Sequence, residues 1–342
     1  MDIYPTTESE APTRAPWKLA LRIALSVLML VVLAWRVPDV RWEDLVPDWD
    51  PTTPLWLVAT VLTMFAAFAL STLRWERVVR PLADPPPLRR MFSHLIAGQF
   101  VSNVLPTSFG GDFIRVSRLG RDIGSTPKAF ASVTIDRLTG WLVLPAISAI
   151  AMASQPRLLQ LGSATATALA IDAVTVTALI IILLTAANRR FAADLDDVVG
   201  WRRFLLAVHL GVDGLRRMPS AAGRVLAVGV AFQLVDCLAV WLTARAIGVD
   251  SVTLGVTLAF YPAAAIAQNL PIGIGGLGVR EGAFLLFFGA VGAPRGQAIA
   301  LGLTVYLLTV LTSSIGAPSF AMGHRTTADP TPGYGTQGPP GA

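Results

Sequence analysis

Charge is scarce in this sequence. Only 14% of its 342 residues are Asp, Glu, Lys or Arg, against about 25% in an ordinary soluble domain. Cysteine is scarcer still: Cys237 stands alone, which excludes a disulfide framework and a thiolate metal site. The three histidines, His94, His209 and His324, share no metal-ligand spacing. No P-loop and no Ser-His-Asp or paired-carboxylate arrangement appears, so neither ATP drive nor catalysis nor a cofactor is expected. What fills the space is apolar: 54% of residues are hydrophobic and mean hydropathy is +0.60. Several runs exceed the roughly 18 residues needed to cross a bilayer. The composition therefore predicts an all-α polytopic membrane protein. The net charge of +5 belongs to basic loops, and nucleic acid is not an expected partner. Residues 1–16 form a polar tail without the charged-then-apolar order of a signal peptide, so the first apolar run is expected to remain as a membrane helix.

Loop charge orients the spans. Trp17–Trp35 is the first apolar run, with tryptophans at both ends as interfacial anchors. The loop that follows carries Asp39, Glu43, Asp44, Asp48 and Asp50 against Arg36 and Arg41. Pro54–Leu73 is the second span, and the loop beyond it gathers Arg74, Arg77, Arg80, Arg89 and Arg90. Because Lys and Arg stay on the cytoplasmic side, the N-terminus is expected inside. Further spans are read at Lys128–Ser154, Leu161–Ala187, Val225–Ala246 and Ala298–Met322. Arg189 to Arg224 mark a cytoplasmic segment in which Phe204, Leu205, Leu206, Leu210 and Leu215 predict an amphipathic helix at the membrane surface. Residues 323–342, rich in Pro, Gly and Thr, read as a disordered tail.

Two apolar segments do not span. Met91–Leu105 offers about 15 helical residues, roughly 22 Å against a ~30 Å hydrocarbon core. It then breaks at Asn103-Val-Leu-Pro106-Thr-Ser108-Phe-Gly110-Gly111-Asp-Phe-Ile-Arg115. Ser251–Leu270 is interrupted in the same way, at Asn269-Leu-Pro271-Ile-Gly-Ile-Gly275-Gly276-Leu-Gly-Val-Arg280. Both keep the order Pro, three residues, Gly-Gly, three residues, Arg, and subtracting 106 from 271 puts the prolines 165 residues apart. Proline stops a helix, and irregular backbone at membrane depth is tolerated only inside protein or beside a wet cavity. The expectation is six transmembrane helices with two re-entrant hairpins. The units 54–154 and 225–322 then run in opposite directions, and such an inverted repeat places a substrate at the repeat interface. Thr72-Leu-Arg74 and Thr243-Ala-Arg245 fall at comparable places in the two units.

A helix starting at each glycine pair would offer free N–H groups and a positive dipole end to an anion. Arg115 and Arg280 supply guanidinium forks that match phosphate. The alternative for each break is a kink that serves close helix packing. Asp136 and Arg137 lie about 12 Å into their span, a costly depth for charge; they either support the same anion or form a structural ion pair. Asp172 and Asp236 are read as proton or cation sites, or as neutral carboxyls bonded to a neighbouring helix. His94, Gln99, Asn103, Gln233, Gln268 and Asn269 are polar at membrane depth and are expected to line a cavity.

The two broken motifs, with Ser132-Val-Thr-Ile-Asp136-Arg137-Leu, Arg74-Trp75 and the Gly275-Gly276-Leu-Gly-Val-Arg280-Glu281 block, resemble the membrane region of the lysylphosphatidylglycerol synthase/flippase family over about Trp17–Met322. That resemblance implies a flippase-like domain moving an aminoacylated phospholipid or a polyprenyl-phosphate-linked sugar. Full-length members carry a soluble aminoacyl-transferase domain after it. Only about 20 residues follow Met322 here, so that reaction is not expected of this chain. The sequence thus predicts a non-enzymatic lipid translocase of the plasma membrane with both termini cytoplasmic. Its head-group residues would be Asn103, Pro106, Ser108, Gly110, Gly111, Arg115, Asp136, Arg137, Asn269, Pro271, Gly275, Gly276, Arg280 and Glu281. An accessory subunit of a lipid-linked glycosyltransferase or lipid synthase is the alternative, and a membrane-embedded enzyme using Glu281 or Asp112 as base is a third. A lipid synthase, a glycosyltransferase or a second copy of the chain are the protein partners left open.

Overall fold

Pro54 sits in the first turn of helix α1, Thr53–Val79, where its missing N–H costs nothing. The computed structural model describes residues 50–104, 110–187, 201–269, 276 and 278–321. The expected first span, Pro106, Ser108, Pro271, Gly275 and the C-terminal tail lie outside them. In chain order α1 is followed by α2 (Leu88–Val104), α3 (Gly110–Asp122), α4 (Thr126–Ser154) and α5 (Ser163–Ala186). Then come α6 (Trp201–Arg217), α7 (Pro219–Ala246), α8 (Leu254–Gln268), α9 (Val279–Gly289), α10 (Arg295–Ser313) and α11 (Gly316–Ala321).

Five of these, α1, α4, α5, α7 and α10, are long and apolar enough to cross a membrane, and each coincides with a span expected from sequence. The chain is a polytopic helical membrane protein. The outward faces agree: Leu169, Val174, Ile180, Ile181 and Leu184 of α5 are all exposed, a stripe that water would penalise and lipid tails solvate. Helices α2, α3, α8 and α9 are too short to span. At 1.5 Å per residue the 17 residues of α2 reach about 26 Å.

Helices α1 and α7 pack along much of their length, with Trp56 edge-on to Trp241 at 6.2 Å. Around them, α2 lies against α3 and α10, whereas α8 lies against α9 and α4. The buried core gathers the aromatics of α8 and α9: Phe260 stacks on Phe287 at 5.5 Å and Phe284 meets Phe288 at 4.8 Å. Ser148 of α4 donates its hydroxyl to the Ala259 carbonyl of α8 at 2.8 Å. Arg118 of α3 clamps Ser319 of α11, donating to its carbonyl at 2.8 Å and its hydroxyl at 3.1 Å.

Helix α6 corrects one expectation. It is amphipathic, as its spacing predicts, but Leu205 and Val208 are buried in a cluster with Ile135, Leu138, Leu179 and Val225. Its apolar face is thus covered by α4, α5 and α7 rather than left for the membrane surface. Gly211 permits that contact, because a Cβ there would run into the Ile135 side chain.

Candidate functional site

The flanks of the first break fold back on each other. Helix α3 returns along α2 with Gly111 set against the Gly98 carbonyl; a Cβ on Gly111 would overlap that carbonyl and the Ser102 hydroxyl. A Cβ on Gly98 would lie 2.8 Å from the Gly111 carbonyl oxygen and 3.0 Å from Arg115 Cγ. The second break repeats the device. Gly276, at φ +76°, sits where a Cβ would approach Gln268 Cβ to 2.8 Å and the Gln268 carbonyl to 3.1 Å. Only glycine takes both that dihedral and that contact without strain. In each pair the second glycine is the crossing point, and the arginine four residues later packs at the crossing, Arg115 against Gly98 and Arg280 against Gly276.

Position alone predicts equal roles for those two arginines; the structure separates them. Arg115 is buried over the Trp75 ring at 4.2 Å. Its Nη2 donates to Asp136 Oδ2 at 2.7 Å, and Arg74 Nε donates to Asp136 Oδ1 at 2.7 Å. Asp136 is 1% exposed. Asp112 completes the cluster, 3.8 Å from Arg115 and paired with Arg137. Three arginines and two aspartates leave a net positive charge, but the Arg115 and Asp136 side chains spend themselves on each other. A buried ion needs such partners, since its desolvation penalty is several kcal/mol. Arg115 and Asp136 therefore hold the first pair to α1 and α4 and do not line the cavity described next.

That cavity, ≈ 240 Å³, is lined by residues flanking both breaks. Gln99, Ser102 and Asn103 reach it from α2, and Gln268, Asn269, Gly276 and Arg280 from the second pair. Arg137 and Asp236 also line it. Tyr306 of α10 bridges the two sides: its hydroxyl donates to the Asn103 carbonyl at 3.0 Å, and its ring lies 5.0 Å beneath the Arg280 guanidinium. Asn103 Nδ2 donates to Ser313 at 3.2 Å, and Arg280 Nε donates to Gln268 Oε1 at 2.9 Å. Asp236 accepts from the Tyr261 hydroxyl at 2.8 Å. A smaller space of ≈ 90 Å³ shares Gln99, Phe232, Asp236, Tyr261, Val305 and Thr309 and continues between Met64, Ala67 and Phe68 of α1. The site is therefore a polar chamber with two guanidinium groups and the Asp236 carboxyl, opening into an annex whose α1 side is apolar.

Several expected residues sit elsewhere. The start of α9 is not open to an anion, because Glu281 Oε2 accepts the Gly278 N–H at 2.6 Å and caps it. Glu281 is fully buried, against Gly302 of α10, so its part is to close the helix end. Gly110 is buried at the start of α3. His94 pairs with Asp122 at 2.7 Å, and Gln233 packs towards Gly140; neither lines the cavity. Asp172 is 7% exposed in α5 and likewise stands apart. The lining residues that sequence reasoning passed over are Ser102, Phe232, Tyr261, Val305, Tyr306 and Thr309. Among long apolar runs, an aromatic facing a cavity reads the same as one facing lipid.

Residues 19–316 match the family model described as the lysylphosphatidylglycerol synthase TM region, a stretch enclosing both breaks and every cavity residue named above. A protein described as "UPF0104 membrane protein" from Methanothermobacter thermautotrophicus is 24% identical over 306 residues, covering 83% of this chain and 88% of the relative. A second protein of that description and organism is 28% identical over 129 residues, 37% of this chain and 36% of its own length. The chain belongs to the lysylphosphatidylglycerol synthase transmembrane-region family.

Proposed function

We propose that the protein translocates a lipid whose head group is anionic or phosphate-linked, and that this head group occupies the chamber between the two breaks. The observation that carries the reading is that described residues flanking both breaks, whose prolines are 165 residues apart in sequence, line one cavity together with Arg137 and Arg280. Guanidinium forks suit phosphate oxygens, while the asparagines and glutamines satisfy the remaining acceptors and hydroxyls. At ≈ 240 Å³ the chamber is smaller than the ~300–1,000 Å³ typical of sites for drug-sized ligands. That suits a head group whose tails remain in the bilayer, with the annex towards α1 as the apolar exit. The reading needs no covalent step, cofactor or metal.

In this reading α2/α3 and α8/α9 are re-entrant hairpins of an inverted repeat, 54–154 and 225–322. The cross-packing supports it, since the first pair touches the last helix of the second unit and the second pair touches the last helix of the first. Both termini are proposed to face the cytoplasm, with the plasma membrane as the host bilayer; the basic residues at the ends of α1 and α6 support that orientation by the positive-inside rule.

Purified protein in liposomes should move labelled phosphatidylglycerol or polyprenyl phosphate between leaflets. Arg280→Ala should slow this about tenfold or more, the scale of one lost charge-assisted contact, while remaining folded by size exclusion. If no anionic lipid moves under any gradient, translocation is wrong and the accessory-subunit reading replaces it.

A further inference from the structure

A second cavity lies away from the chamber, at the basic end of α1. It is ≈ 510 Å³, larger than the chamber. Its charged lining is Glu76, Arg77, Arg80, Asp84 and Arg224. Arg80 Nε donates to Glu76 at 2.5 Å, which neutralises that pair. Arg77 and Arg224 then face Asp84, and among the described residues neither makes an ion pair. Among the described residues the buried Arg77 Nε has no acceptor, and no neighbouring carboxylate neutralises this guanidinium. Between these cations the lining is apolar, and two of its members, Leu88 and Met218, are each 48% exposed. Leu88 opens α2 and Asn103 lies near its far end, about 22 Å away by helical rise, so this is not an arm of the chamber.

We propose that this cavity binds the phosphate of an anionic phospholipid from the surrounding leaflet, as a resident lipid that ties the end of α1 to the starts of α2 and α7. The phosphate would charge-pair with the guanidinium groups of Arg77 and Arg224, and the acyl chains would cover Leu73, Leu88 and Met218. The shared chemistry, phosphate on guanidinium, also suits a water-soluble phosphoester. The exposed apolar rim favours the lipid, and basic pockets between membrane helices bind anionic head groups in this manner. The inference is independent of whether the protein moves lipid.

The test measures phosphatidylglycerol bound to the full chain by native mass spectrometry, after exchange from phosphatidylcholine bilayers doped with it. Arg280→Ala is present in every sample, the wild-type reference included, so that lipid held in the chamber does not mask the second cavity. Arg77→Gln with Arg224→Gln should retain roughly tenfold less than wild type, given the contribution of each basic residue at the surface. The exposed single change Arg224→Gln, which cannot disturb the core, should lose severalfold. Arg245→Gln, at the other end of α7, should retain the lipid fully, and glycerol phosphate should fail to displace it. Equal retention by Arg224→Gln and wild type, displacement by glycerol phosphate as readily as by lipid, or no bound lipid at all would each overturn the proposal.

Discussion

Asp136→Ala is expected to destabilise the protein by about 3–5 kcal/mol, the cost of removing one partner from a buried charge network. Both of its oxygens are engaged, by Arg74 and Arg115 at 2.7 Å each. Its loss leaves two buried guanidiniums with Asp112, 3.8 Å from Arg115, as the remaining nearby carboxylate. That residue is already shared with Arg137. In a chain of this size the melting temperature in detergent should fall by about 10 °C. The triple change Arg74→Met, Asp136→Leu, Arg115→Met should be markedly less harmful than Asp136→Ala alone, because no orphan charge remains. A single variant as stable as wild type, or a triple variant worse than the single, would show that the cluster does not hold α3 to α1 and α4.

The next largest effect is predicted at Gly111→Val, about 3 kcal/mol, the upper end for overpacking a tight contact. The obstacle is backbone. A Cβ at Gly111 meets the Gly98 carbonyl, which cannot rotate away as the Ser102 hydroxyl can. Gly98→Ala should be milder, since part of its clash is with Arg115 Cγ at 3.0 Å, the stem of a flexible side chain. The expected order of thermal stability is wild type, then Gly98→Ala, then Gly111→Val. Lipid movement should fall in step, because splaying α3 from α2 moves the Ser102 and Asn103 wall of the chamber. Should Gly111→Val melt with wild type, the close crossing of α2 and α3 would be wrong.

The breaks themselves were legible because they combine two strong local signals, a helix-stopping proline and a glycine pair, and because they recur at a fixed offset. The five described spans were legible for the same local reason, length and apolarity. What the repeat concealed was an asymmetry of partners. Counting thirty residues past each proline gives Asp136 in the first unit and Leu301 in the second. The first arginine therefore meets a carboxylate on the following helix and is drawn into the core, whereas Leu301 is fully buried among apolar neighbours. Arg280 is instead set beside Gln268 and Tyr306 on the chamber wall. A similar divergence separates Arg74, locked on Asp136, from Arg245, which pairs with the exposed Asp250.

Other features had no local signature. The Gly98–Gly111 crossing joins an unremarked glycine inside α2 to one at a recognised break. The Tyr306 bridge to Asn103 spans 203 residues, and hydropathy cannot say which face of α10 carries it. Helix α6 was recognisable as amphipathic, but periodicity gives the apolar face without saying whether lipid or protein covers it.

The claim at the centre of this account is that the chamber between the two breaks holds a lipid head group. A photo-crosslinking residue in place of Thr309 tests it most directly. Thr309 lines both the chamber and its annex, and its hydroxyl donates to the Val305 carbonyl of its own helix, so the substitution removes no hydrogen bond between described helices. Irradiation in bilayers containing phosphorus-labelled phosphatidylglycerol should attach label to the protein, and Arg280→Ala should reduce that labelling about tenfold. Crosslinks only to neighbouring helices, with no lipid phosphorus captured from this position, would contradict it.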